Sequence, residues 1–251
     1  MGVILPNIRK LFIPDPGYVI FDCDLAGADA QVVAWESDDE DLKAAFRAGM
    51  DVHDKNATDL AGDAYTKLPG TTETGLKAKK RKQFKQAVHA TNYGGSPTAL
   101  HKHPGIGWPM KECEAFQHRW FSLHPKIYDW HKRITKQLNT NKTVSNAMGY
   151  RRIFFDRPDQ VFPEALAWIP QSSVALVSFH GAIQLEEKLP YVEMLLQVHD
   201  SLVFQVPKQY ANEIEAIKEG LRIALPYPDP LYIPWGVSRS EKSWGDCEKV
   251  Q

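Results

Sequence analysis

Two acidic positions and one basic stretch are the parts of this chain that could do chemistry. The first acid is Asp200, in the run QVHDSLVF, where two β-rich segments meet at the dipeptide His199–Asp200. A carboxylate at so tight a turn projects into open space, where an oxygen-seeking divalent cation can be held. Asp is also a common turn residue, so the dipeptide alone has an ordinary reading. The second acid is Asp24, at the end of the β-prone run GYVIFDCDL and just ahead of a helical pattern. By itself it reads as a strand-end or helix-capping residue. Asp22 projects from the same strand face and is the alternative ligand. In the basic stretch, six of the nine residues from Lys77 to Lys85 are Lys or Arg. Arg81, Lys85, His89 and Tyr93 are each four residues apart, so on a helix they form one stripe drifting by about 40° per step. The stripe puts two permanent cations and two planar rings on one surface, a combination suited to triphosphate oxygens beside a stacked base. A solvated helix face is the commoner use of a Lys/Arg run.

These residues need elements to position them. The segment from Gly17 to Leu25 predicts a strand and that from Ala28 to Trp35 a helix, so Asp24 falls at a strand end. SDDEDLKAAFRAG predicts a helix with an acidic start and a glycine stop. KLPGTTETG and HKHPGIGWP are loops by their Pro, Gly and Thr content. Between them a long helix is expected from Leu76 to Asn92, stopping at Gly94–Gly95. Helices are expected on either side of Pro125, the second from Lys126 to Leu138 with Trp130 and Ile134 on a helical period. ALAWIPQSSVALVSFHGAIQLEEKL predicts a buried helix and YVEMLLQVHDSLVFQVP a hairpin. In the tail, a helix from Tyr210 to Ala224 and a Pro-rich stretch lead to a final strand, WGVSRSEKSWG. Strands on both sides of a helical middle make the fold class α+β.

Composition narrows the setting. The 251 residues are 43% apolar and 24% charged, the balance of an ordinary soluble globular protein. No uninterrupted apolar run of about 18 residues exists, so no membrane-spanning helix is expected, and the N-terminus lacks the features of a secretory signal. Cys23, Cys113 and Cys247 form no CxxC pair, which favours a reducing, cytoplasmic setting. With a net charge of −1, any nucleic-acid contact must come from local basic surface such as the Lys77–Lys85 stretch. His101, His103, Cys113 and His118 are of zinc-ligating types but fit no standard spacing, and a solvated loop is the plainer reading. Cys23 reads as a core thiol rather than a nucleophile.

Taken together, the motifs resemble the polymerase domain of the DNA polymerase I family (family A), in order and internal spacing, over nearly the whole chain. QVHDSLVF is similar to the family's third motif, which presents a catalytic Asp, here Asp200, after a His, here His199. Ser201 stands where the family usually has Glu. VIFDCDLAGADAQVVAW is similar to the first motif. There Asp24 takes the place of the catalytic Asp, and Leu25 the place whose main-chain carbonyl binds metal. Asp29, five residues on, matches the acidic residue packed under the sugar, and that spacing ranks Asp24 above Asp22. KKRKQFKQAVHATNYGGS resembles the family's fingers helix: Arg81, Lys85, Tyr93 and Gly94 match it. His89 stands where an incoming base normally meets Phe or Tyr. An alternative register sets Asn92-Tyr93-Gly94 on the family's Asn-aromatic-Gly and moves His89 to the Lys position; the first register keeps both Arg and Lys. The segment from Asp51 to His53 resembles one leading into the fingers. MGYRRIF, with Arg151 and Arg152, looks like the Gly-Arg-Arg motif near the template or primer backbone. Gln171 matches a Gln that contacts the duplex, although Ala167 occupies the place of an expected Asn.

The resemblance implies an antiparallel-sheet palm with an inserted helical fingers subdomain, a right-hand polymerase fold lacking a thumb. Residues 1–50 and 151–251 would be palm and 51–150 fingers. The implied activity is template-directed DNA synthesis, nucleotidyl transfer from a dNTP to a primer 3′-hydroxyl. Asp24, Asp200 and the Leu25 carbonyl would hold two Mg²⁺ ions roughly 3.5–4 Å apart, replaceable by Mn²⁺. Arg81 and Lys85 would clamp the phosphates, with Lys85 also the proton donor to pyrophosphate. His89 and Tyr93 would face the nascent base pair, and Asp29 would help exclude a 2′-hydroxyl. Arg151, Arg152, Gln171 and His199 would contact primer–template DNA. Two other readings stay open: a single-subunit RNA polymerase-like enzyme, in which His-Asp-Ser is also familiar, and an inactive polymerase-like module that only binds nucleic acid. Family members carry a thumb, and often an exonuclease domain, upstream of the palm. The resemblance therefore implies a split or truncated, phage-like polymerase, with a separate polypeptide supplying those parts and no membrane partner. Hold on duplex DNA would be weak and salt-sensitive.

Overall fold

The run Val19-Ile20-Phe21, continued by Cys23 and Leu25, puts apolar side chains on both faces of one strand. A strand of that kind belongs where both faces are covered. The computed structural model, which describes residues 7–250, sets it at the centre of a sheet. Strand β1 (Tyr18–Leu25) leads into α1 (Ala28–Ser37), α2 (Glu40–Arg47), α3 (Val52–Ala61) and the single turn α4 (Asp63–Thr66). Then come α5 (Gly75–Asn92), α6 (Pro97–Lys102), α7 (Met110–Leu123) and α8 (Pro125–Asn141). A short hairpin, β2 (Thr143–Ser145) and β3 (Arg151–Ile153), precedes the long α9 (Pro158–Lys188). Strands β4 (Glu193–Val198) and β5 (Ser201–Pro207) flank the His199–Asp200 turn. The rest comprises α10 (Ile214–Gly220), β6 (Ala224–Leu225), β7 (Leu231–Tyr232), β8 (Trp235–Ser240) and β9 (Glu248–Lys249).

The chain divides into two compact units. Unit 1 joins the residues up to Ala28 with those from Ser172 onward; unit 2 is Asp29–Gln171. Unit 1 holds a sheet of order β4-β5-β1-β8-β9, with every neighbouring pair antiparallel. Phe21 lies opposite Phe204, and their rings stack at 5.4 Å and 3° on one face. On the other face Ile20, Val203 and Trp244 form a cluster flanked by Leu196, Val198 and Cys247. Burial of each such side chain is worth about 1.5–3 kcal/mol, and this clamps β1 between β5 and β8.

Unit 2 is helical. Asp39 caps α2 by accepting the Leu42 N–H at 3.0 Å, and Asp51 caps α3 by accepting those of His53 and Asp54. Helix α5 buries Phe84, Ala87, Val88 and Thr91, the i, i+3, i+4, i+7 stripe of an amphipathic helix. Phe84 anchors an aromatic cluster, with ring centroids 6.3 Å from Tyr65, 5.2 Å from Trp108 and 6.2 Å from Phe116. The helix ends at the glycine pair as expected. Gly94 takes φ 75°, and a Cβ on Gly95 would lie 2.7 Å from the Ala90 carbonyl oxygen. Asn92 ties that end down, accepting Trp120 Nε1–H at its side chain and His131 Nε2–H at its carbonyl, both at 2.8 Å.

Three expectations need correction. The tail helix is shorter than Tyr210–Ala224, being only α10, because Arg239 takes the Ala211 carbonyl and the Asn212 side chain that a longer helix would engage otherwise. The final strand stops at Ser240, whose hydroxyl accepts the Lys242 N–H at 3.0 Å and turns the chain into a short 3-10 segment, Trp244–Asp246. Helix α9 is one-sided rather than buried all round: Val161, Ala165, Leu166, Ile169 and Val177 are buried, whereas Phe179 and Ile183 are 52% and 57% exposed. Among the described residues no helix is long and apolar enough to cross a membrane.

Candidate active site

The carboxylates come together in unit 1. Pairing of β1 with β5 sets Asp24 opposite Ser201, and the next residue, Leu25, donates its N–H to the Asp200 carbonyl at 3.2 Å. His199 opens the turn with φ 56°, a left-handed conformation that two-residue hairpins use and that His tolerates better than most side chains. Partial desolvation raises the Asp24 pKa, and the charges of Asp22 and Asp200 raise it further, with Lys249 opposing them. Asp22 is anchored from the side: Trp244 Nε1–H donates to its Oδ2 at 2.7 Å, while its Oδ1 is buried with no hydrogen-bond partner. Gly236 lies opposite Asp24 on β8, and a Cβ there would come within 3.0 Å of Asp24 Oδ1. Asp22 and Asp200 act on Asp24 through their charge, and Asp22 carries an orphaned oxygen; carboxylates are the donor type that a hard divalent cation takes. Cys23, between two of these acids in sequence but on the opposite strand face, is buried and its thiol is pushed well up, chiefly by burial, so it is inert as a nucleophile.

The cationic stripe lies in unit 2. Arg81 donates from Nε and Nη2 to the two carboxylate oxygens of Asp51, at 2.9 and 2.6 Å. Lys85 is exposed. The rings of His89 and Tyr93 stand 4.3 Å apart at 59°. Burial and the negative charge of Asp29, at the start of α1, raise the Tyr93 pKa, although its hydroxyl lies short of hydrogen-bonding geometry. Dewatering lowers the pKa of His89; the Asp29 charge opposes this and that of Lys85 adds to it. The stripe thus gains Asp29 as a neighbour. His53 joins it too, a residue that sequence reasoning placed only within a segment leading into the fingers. Burial, then the charges of Lys85 and Arg81, lower its pKa to about 4, so it stands neutral among cations. Only the pairing of α3 with α5 reveals this, because no short spacing links positions 53 and 81.

Arg151 is exposed on β3, and Arg152 is paired with Glu164 while lying 4.8 Å over the Phe154 ring. Gln171 is exposed on α9. Three of the residues of zinc-ligating type are occupied locally: His101 Nδ1 meets the Trp108 carbonyl at 2.8 Å, Cys113 Sγ reaches the same oxygen at 3.7 Å, and His103 Nδ1 accepts the Gly105 N–H at 3.1 Å. Elsewhere in unit 2, Asp39, Asp41 and His124 bring ligand-type atoms within 4.8 Å of one another. Most of their bonds are already made, although His124 Nε2 is buried with no hydrogen-bond partner. Asp39 accepts from Leu42 N–H and meets His124 Nδ1, and Asp41 accepts Lys55 Nζ at 2.5 Å, so Lys55 supplies the positive charge.

The chain is 32% identical over 243 residues to a thermostable DNA polymerase I of Thermus filiformis, covering 93% of this chain and 28% of that protein. It is 26% identical to a DNA polymerase of Mycobacterium phage D29, over 95% of this chain and 37% of the phage protein. The chain thus spans little more than a quarter of the length of the first of these relatives. In fold it is similar to the POL domain of Pol1 from M. smegmatis, solved in complex with DNA primer-template and dNTP. That match has a TM-score of 0.80 and 23% identity, over 96% of this chain and 42% of that one. The family model for DNA polymerase family A matches residues 4–240, and the chain accordingly belongs to DNA polymerase family A.

Proposed function

We propose that this chain is the catalytic part of a template-directed DNA polymerase, adding deoxynucleotides to a primer 3′-hydroxyl, with residues 1–50 and 151–251 as palm and 51–150 as fingers. The observation that carries the reading is the β1–β5 register, which sets Asp24 beside the Asp200 turn. Asp24, Asp200 and the Leu25 carbonyl would hold divalent cations, Mg²⁺ with Mn²⁺ able to replace it. Bound there, such ions acidify the primer hydroxyl and neutralise the charge that builds on the leaving pyrophosphate. Asp24 and Asp200 contribute their negative charges, and Gly236 leaves room for the first of them.

Phosphoryl transfer needs little covalent assistance, so positioning and fixed charge supply most of the rate. Arg81 and Lys85 hold the triphosphate, and His53, neutral in its cationic surroundings, adds an uncharged ring donor. Lys85 returns a proton to pyrophosphate. His89 and Tyr93 present their rings to the base, and Asp29 guards the sugar against a 2′-hydroxyl. Arg151, Arg152, Gln171 and His199 hold primer–template DNA. The testing experiment is extension of a labelled primer with Mg²⁺, offering each dNTP and each rNTP singly against a known template base. Incorporation of the complementary dNTP, with the rNTP strongly disfavoured, is expected. Equal use of both sugars would move the assignment to an RNA polymerase-like enzyme, and template-independent or absent incorporation would overturn it.

A further inference from the structure

The proposed nucleotide-binding arginine does not stand alone. Arg81 carries five N–H donors in a planar fork. The Asp51 carboxylate takes the Nε and Nη2 side of that fork at 2.9 and 2.6 Å. Three N–H groups remain, two on Nη1 and one on Nη2, and together they form the end-on fork that matches two oxygens of a phosphate. The same Asp51 Oδ1 accepts the N–H groups of His53 and Asp54 at 3.1 Å, as the N-cap of α3. One carboxylate therefore fixes both the start of α3 and the plane of the Arg81 guanidinium on α5. A second rung, Lys77 to Asp54 at 3.9 Å, runs between the same two helices one turn away. His53 follows two residues after this cap, in the field of Arg81 and Lys85. The orientation of the arginine and the placement of the imidazole thus share one anchor.

We propose that Asp51 is a positioning residue for triphosphate binding, holding Arg81 side-on so that its end-on edge meets the phosphates. This rests on the reading of unit 2 as the part that binds the nucleotide triphosphate. Asp51→Asn is the informative variant. Asn is as good an N-cap as Asp, so α3 keeps its start. Its amide, however, offers an N–H toward Arg81, where two donors would oppose each other and release the fork.

The experiment compares the intact chain with Asp51→Asn, Arg81→Ala and the double variant. It measures binding of inorganic tripolyphosphate by calorimetry at fixed ionic strength, and single-nucleotide incorporation for KM and kcat, with thermal melts as the control for folding. Expected results are a dNTP KM raised about tenfold in Asp51→Asn, the loss of one charge-assisted contact, with primer–template affinity unchanged and a cooperative melt retained at a slightly lower Tm. The double variant should match Arg81→Ala, because Asp51 acts through the arginine. Unchanged or tighter tripolyphosphate binding by Asp51→Asn would overturn the proposal, as would fully additive effects. A distinct outcome, in which the intact chain and Arg81→Ala bind tripolyphosphate equally, would instead sink the reading of unit 2 on which it rests.

Discussion

Replacing Asp200 by Asn should make the protein more stable while removing its cation response. Asp24 lies on β1 opposite Ser201 of β5, and Asp200 lies in the turn one residue before Ser201. Directly opposed residues in an antiparallel pair have Cα atoms about 5 Å apart, so a one-residue offset puts the two acids about 6 Å apart. Taking the charges to be separated by about as much as the Cα atoms, two negative charges repel by about 0.7 kcal/mol in water and about 2.8 kcal/mol at an effective dielectric of 20. Asp24 is exposed and Asp200 partly so, which argues for the lower part of that range, about 1 kcal/mol after screening. The raised pKa of Asp24, which Asp200 helps cause, has the same sign. In a chain of this size about 1 kcal/mol corresponds to roughly 2–4 °C in Tm. In metal-free buffer Asp200→Asn should therefore melt about 2 °C above the unsubstituted protein. Millimolar Mg²⁺ should raise the Tm of the unsubstituted protein, as any ligand of the native state does, and leave the variant unmoved. A variant that melts lower without metal, or that keeps the full Mg²⁺ shift, would refute the reasoning.

Three further outcomes are expected. Gly236→Val should reduce nucleotide incorporation about tenfold or more with little change in Tm, since its Cβ would press on Asp24 Oδ1 from 3.0 Å while Val suits a strand; full activity would show that the carboxylate has room to spare. His131 is 7% exposed and its pKa is lowered to about 4, chiefly by burial. A lowered pKa means stability that is complete above the ordinary value near 6.5 and lost as pH falls toward 4. This amounts to about 3 kcal/mol, so urea unfolding should show a much shallower acid slope in His131→Gln, and an unchanged slope would count against it. Asp51 works the same way at lower pH: burial tends to raise its pKa, but the Arg81 bonds and the α3 N–H groups outweigh burial and hold it low. That stabilisation is present above about pH 3.9 and disappears on further acidification, so Asp51→Asn should blunt the last part of acid unfolding measured by circular dichroism.

What could be read from the sequence was whatever is local. The β-prone run of β1, the hairpin around His199–Asp200 and the four-residue stripe of α5 ending at two glycines all rest on contacts within a few residues, and they lie where expected. What could not be read depends on partners far along the chain. Trp244 grips Asp22 across 222 positions, and Asp51 grips Arg81 across 30. Neither spacing carries a periodic signal. The same cause shortened the tail helix, because local propensity favours helix through Ala211 and Asn212, yet Arg239, on another strand, captures both. His53 could be read only as part of a segment leading into the fingers, because a single His two residues after an N-cap has no pattern; only the packing of α3 on α5 puts it among cations. Exposure of Phe179 and Ile183 on α9 was equally hidden, since a run apolar on all sides does not say which side is covered.

Nucleotidyl transfer at this site requires Asp24 and Asp200 to serve the same cations. The direct measurement is Mn²⁺ binding followed by electron paramagnetic resonance, in parallel with single-nucleotide incorporation, for the unsubstituted chain, Asp24→Asn and Asp200→Asn. Either substitution alone should remove the bound Mn²⁺ signal and lower incorporation by at least about a thousandfold, a loss of about 4 kcal/mol in transition-state stabilisation. Retention of bound Mn²⁺ together with near-normal incorporation in either variant would contradict it.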